Sequence, residues 1–128
     1  MINADMKIRL RKINRPDLLS TLDAGFNASG ELELEGYDLG KLPEEVFGDS
    51  DYEYWVTLPV TSLPAFAREA SDELGLSRPT GEPDRASLMD LIRRLFLPEG
   101  ELKPVFSGES AFMKWLEGKG IPYNFCTW

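Results

Sequence analysis

Two stretches near the start of the chain alternate in polarity with a period of two, and they constrain the fold more than anything else in it. From Met6 to Ile13, Lys7, Arg9 and Arg11 fall on one side and Ile8 and Leu10 on the other. From Glu31 to Tyr37, Glu31, Glu33, Glu35 and Tyr37 share a side, with Leu32 and Leu34 opposite. Period two over this length is the signature of a half-buried strand. The polar sides carry opposite charge. If the two strands pair, each cross-strand ion pair contributes about 0.2–1 kcal/mol. The pattern therefore predicts an antiparallel pair with one wet, salt-bridged face.

The remaining elements follow from local signals. Pro16 cannot supply a ladder hydrogen, so Arg15-Pro16-Asp17 is expected to break the first strand. Asp17 to Leu22 is expected to form a short helical turn capped by Asp17, and Gly25 to Gly30 a turn. Gly36 to Gly48 reads as a connection with a single helical turn at Pro43 to Val46. Tyr52 to Leu58, rich in aromatic and β-branched residues, is a third strand.

The second half changes period. Ser62 to Leu74, Arg85 to Leu97 and Glu109 to Gly118 place apolar residues at helical spacing, with Ser62 as a cap and Gly75 as a stop. Ser77 to Asp84 is a surface loop, and Ile121 to Trp128 a closing strand whose Pro122 suits a sheet edge. Strands first and helices second predict an α+β fold: an antiparallel sheet of three to four strands, about three helices on one face, one domain over residues 1–128.

Composition excludes several kinds of function. The 128 residues contain no histidine, which removes His-based acid–base catalysis and His metal sites. A single cysteine forbids an intrachain disulfide, a zinc knuckle or a Cys-X-X-Cys pair. Fourteen basic against twenty-two acidic residues leave a net charge of −8, which disfavours nucleic acid and anionic membrane as partners. Met1 to Met6 lacks a signal-peptide layout and no apolar run approaches a bilayer span, so a cytoplasmic location is expected, in keeping with a free Cys126.

Five constellations bear on chemistry. Asp38, Asp49, Asp51 and Glu53 are spaced carboxylates able to hold a hard cation, but the glycine and distal glutamate of an EF-hand loop are missing, and a polar turn is the simpler reading. Gly36 to Lys41 has three residues between its glycines and a leucine after its lysine, so it is no phosphate loop. Glu35, Glu53, Asp38 and Asp51 supply carboxylates for acid–base work, although such residues on a sheet face usually form solvated ion pairs. Cys126 has no basic neighbour in sequence and is expected to be a buried, inert thiol. The fifth is the wet sheet face. Parity places Glu33, Glu35 and Tyr37 together, and Asp51, Glu53 and Trp55 together on the next strand, opposite Tyr52, Tyr54, Val56 and Leu58. Aromatics amid charge have the composition of a protein-binding hot spot. Two readings of Trp55 stand: outward beside Glu53, or in the core across a bulge.

Leu32 to Gly40 (Leu-Glu-Leu-Glu-Gly-Tyr-Asp-Leu-Gly) and Phe47 to Trp55 (Phe-Gly-Asp-Ser-Asp-Tyr-Glu-Tyr-Trp) resemble segments of small uncharacterised bacterial proteins. The resemblance implies no activity and no catalytic residue. It draws attention to Asp38, Asp49, Tyr52, Glu53, Tyr54 and Trp55. In size and acidity alone the chain is similar to bacterial immunity proteins, which neutralise toxins that are often basic nucleases. The expectation is thus a binding protein without cofactor or metal. Its partner is basic, and Glu33, Glu35, Tyr37, Asp38, Asp51, Glu53 and Trp55 form its surface. A carboxylate-dependent enzyme or cation binder using Asp38, Asp49, Asp51 and Glu53 is the alternative, and an accessory domain with no ligand is the third reading.

Overall fold

Alternation begins at Ile8 and does not stop at Pro16. In the computed structural model, which describes residues 2–4, 6–40 and 51–127, β1 (Ile8–Arg15) turns directly into β2 (Leu18–Phe26). Arg15 pairs with Leu18, so Pro16 and Asp17 are the two-residue loop of a hairpin. The expected helical turn over Asp17 to Leu22 is therefore corrected: the segment is a strand. Ser20, Leu22, Ala24 and Phe26 are all buried on one side of it, a period-two pattern that small side chains obscure in the sequence.

A second hairpin leads to β3 (Leu32–Leu39). Asn27 shapes the turn: its Oδ1 accepts the backbone N–H groups of Ser29 and Glu31, at 3.0 and 3.1 Å. Gly30, at φ +79°, takes the left-handed position that a side chain resists. β3 pairs with β4 (Asp51–Leu58), and β4 with β5 (Asn124–Thr127). The sheet is antiparallel throughout, in the order β1-β2-β3-β4-β5. Its five strands exceed the expected three to four by β2, and the closing edge strand is present. The anticipated pairing of the first strand with Glu31 to Tyr37 does not occur, because β2 lies between them. Lys7 and Arg9 instead meet Asp23 of β2.

Three helices follow β4: α1 (Leu63–Glu73), α2 (Arg85–Phe96) and α3 (Glu109–Gly118). Leu63, Phe66 and Ala70 of α1, Leu88, Ile92 and Leu95 of α2, and Phe112 and Leu116 of α3 join Leu22, Leu34, Val56 and Leu58 of the sheet in one core. All three helices thus cover one sheet face. Phe112 is fully buried among Phe66, Phe96, Phe106 and Trp115, with ring centroids 5.4–6.4 Å away. Ser62 precedes α1 without capping it. Its hydroxyl donates to the Pro122 carbonyl at 2.7 Å and so ties the helix start to the segment entering β5.

The cap of α2 is Asp84, whose carboxylate accepts the Ser87 N–H at 2.7 Å. That backbone bond favours the ionised form and holds the Asp84 carboxyl below its ordinary range. With the folded-state pKa depressed, the cap's contribution is complete above the ordinary aspartate range and is lost as pH falls through the depressed value. Asp84→Ala should therefore lower the melting temperature near neutrality. In melts carried down to about pH 2, its difference from wild type should close. A gap that persists at low pH would show that the carboxylate is not what stabilises the helix start.

Candidate functional site

The face of the sheet turned away from the helices carries the sequence-derived candidates. Register builds it directly. Glu35 pairs with Trp55, Tyr37 with Glu53, and Glu33 with Thr57, so these side chains project to one side. Asp51 belongs to the same side, and its Oδ1 lies 3.3 Å from the Tyr37 hydroxyl. Partial desolvation, then the Asp51 carboxylate, raise the Tyr37 pKa, so the phenol stays neutral and donates. Trp55 is half-buried on this face, while Tyr54, Val56 and Leu58 point into the core. Parity therefore holds along β4, and Trp55 lies beside Glu35 and Glu53.

The charge on this face is uneven. At the β1 side, Lys7 and Arg9 neutralise Asp23, which is itself buried. Towards β3 and β4, Glu35, Asp51 and Glu53 have no cation within ion-pair distance among the described residues. Glu35, Tyr37, Asp51, Glu53 and Trp55 are the accessible part of the surface. Glu33 lies under it, only 5% exposed, with its Oε1 accepting the Thr57 hydroxyl at 3.1 Å. The N-terminal residues close over that corner: Ile2 bridges to Asn27 and packs onto Gly25, the register partner of Glu33.

Asp38 does not belong with these residues. It pairs with Ser20 and Tyr52 and lies on the helix-covered side. A β-bulge between Arg9 and Arg11 explains what it meets there. One extra residue sends both Leu10 and Arg11 to the helix side, so Arg11 leaves the wet face expected for it. Its guanidinium donates to the Ser20 hydroxyl at 3.1 Å, the Tyr54 hydroxyl at 2.7 Å and Glu109 Oε2 at 2.9 Å. Ser20 in turn donates to Asp38 Oδ1 at 2.6 Å. Burial first, then the Glu109 carboxylate, push the Tyr54 hydroxyl above its ordinary pKa, with Arg11 opposing, so it remains protonated. This network joins β1, β2, β3 and β4 to the first turn of α3. Its chemistry is that of a structural clasp: every polar group already has a partner within the fold.

Asp49 lies outside the described residues, as do Lys41 and the expected turn at Pro43 to Val46. Among the described residues no three carboxylate or thiol groups converge as a metal site. Cys126 corrects another expectation: it is exposed, because β5 is an edge strand, and it pairs with Trp55 on the open face. Thr21, Asp23 and Cys126 were absent from the sequence-derived surface. The alternation of Ser20, Leu22, Ala24 and Phe26 was the signal that would have placed the first two. No protein-family model, curated protein or solved structure gives a significant match to the chain. No helix among the described residues is long and apolar enough to cross a membrane.

Proposed function

We propose that this chain is a non-enzymatic binding protein that engages a basic region of a partner protein through its open sheet face, with immunity-type neutralisation of a basic toxin as the concrete form. One observation carries the reading: Tyr37 and Trp55 stand on a helix-free surface among Glu35, Asp51 and Glu53, acids with no cation of their own among the described residues. Aromatic side chains offer large contact area at low entropic cost, and unpaired acids steer a cationic partner and make association salt-sensitive. The net charge of −8 acts in the same direction at longer range.

The alternative, a carboxylate-dependent enzyme or cation binder, draws on Asp38, Asp49, Asp51 and Glu53; register sets Asp38 on the opposite face from Asp51 and Glu53, which favours the binding reading over it.

The test is capture from the host lysate at low and high salt on two baits, the wild-type chain and Glu35→Lys/Glu53→Lys. A basic protein held stoichiometrically by wild type, released by salt and lost from the reversed chain is the expected result. The association rate of that partner should fall by about tenfold or more on reversal. A maleimide on Cys126, beside Trp55, should block the same capture. Identical proteins on both baits, or no partner from a lysate that expresses one, would sink the reading and favour an accessory domain.

A further inference from the structure

We propose that a second copy of this chain docks in the cleft between α1, α2 and the loop of residues 97–105, a surface separate from the open sheet face. The cleft has a volume of about 500 Å³. Leu97, Leu102 and Val105 line it, and they are 41%, 72% and 41% exposed. They are three of the seven large apolar side chains exposed among the described residues, so exposed apolar surface concentrates here. The loop that presents them is held in place. The N–H groups of Val105 and Phe106 both donate to the Leu95 carbonyl, at 2.9 and 3.2 Å, and Phe106 is buried in the core. Leu102 lies three residues before this anchor.

The charges around the cleft indicate which occupant fits. Arg94 is paired with Asp90 at 2.8 Å. Arg93 and Lys103 have no ion pair among the described residues, and neither has Glu99. Glu73 accepts the Trp115 indole N–H at 2.9 Å but has no cation. Counting these six, the rim is balanced, three basic against three acidic, on a chain of net charge −8. Two copies of an acidic chain repel each other least where local charge is balanced. An isologous contact must also be self-complementary. A two-fold arrangement over Leu102 meets that condition, setting Arg93 and Lys103 of one copy against Glu73 and Glu99 of the other around an apolar centre. The acidic sheet face offers a second copy nothing comparable, whereas a basic partner is drawn to that face.

Light scattering and sedimentation of the purified chain over about 1–200 µM test this directly. The mass should rise towards twice the 14.4 kDa of one chain. Leu102→Glu places a charge at the apolar centre. Because Leu102 is so exposed, the monomer should keep its circular dichroism and melting temperature while the dissociation constant rises about tenfold or more. Two charge-swapped chains, Arg93→Glu/Lys103→Glu and Glu73→Lys/Glu99→Lys, should each stay monomeric and associate when mixed. A wild-type mass that stays at 14.4 kDa throughout overturns the proposal. So does a dimer that survives Leu102→Glu, or swapped chains that remain apart on mixing.

Discussion

Gly36→Ala should destabilise the protein by about 1–3 kcal/mol and lower its melting temperature by about 10 °C. Gly36 sits in the middle of β3, where glycine is ordinarily a poor choice. Its register partner is Tyr54, and a Cβ at Gly36 would overlap ring atoms of that tyrosine. The ring lies over the glycine because its hydroxyl must reach Arg11 across the sheet. Tyr54 is 2% exposed, so it has no solvent-filled space to move into. A methyl group therefore forces either a backbone shift in β3 or loss of the Arg11 bond. Chemical denaturation of Gly36→Ala, Tyr54→Leu and the double variant measures it. The two single costs should be far from additive, since a smaller side chain at 54 leaves room for the methyl. Additive costs would mean that the glycine serves some purpose other than seating the ring.

Arg11→Met should cost about 2–3 kcal/mol. Removing one member of a buried ionic network leaves its partners desolvated and unpaired. The usual loss is reduced here because the Arg11 and Glu109 side chains retain 23% and 20% exposure, so water reaches part of the site. The loss should also be localised. Arg11 links the sheet to Glu109 in the first turn of α3, alongside the Tyr54 hydroxyl, and a carboxylate there already interacts well with the helix dipole. Hydrogen exchange should therefore rise in that turn before it rises in β2 or β3. Tyr54→Phe, which removes the hydroxyl that accepts from Arg11 and donates to Glu109, should cost about 1 kcal/mol. Equal protection of α3 in Arg11→Met and wild type would show that the clasp does not hold the helix.

Most of the elements could be read from period alone, and the exceptions are instructive. β3, β4 and the three helices have side chains whose polarity tracks burial closely. β2 does not: its core side includes Ser20 and Ala24, and its other side includes Leu19, so the contrast between faces is weak. Pro16 added to the misreading, since a proline that ends a ladder and a proline that turns a hairpin look alike along the chain. The open surface was legible at Glu35, Tyr37, Glu53 and Trp55, because alternation on a paired strand is a local property of the backbone. It was misjudged at Asp38 because the strand runs on to Leu39, so the same alternation that sets Tyr37 outward turns Asp38 to the helix side. At Glu33 and Cys126 the reason is tertiary: Ile2 packs over the Glu33 corner, and the edge position of β5 left Cys126 in solvent.

The sequence by itself determined the α+β class, the faces of β3 and β4 and a net charge of −8. Those properties depend on residue type and on backbone periods of 2 and 3.6, which act over a few neighbouring residues. Only the tertiary structure decided that β2 separates β1 from β3, that a bulge carries Arg11 to Tyr54 and Glu109, and that Glu35, Asp51 and Glu53 are left without cations among the described residues. The physical reason is that a charged group's partner and its cost of desolvation are set by whatever packs against it, and here those neighbours come from segments up to 98 residues away in the chain.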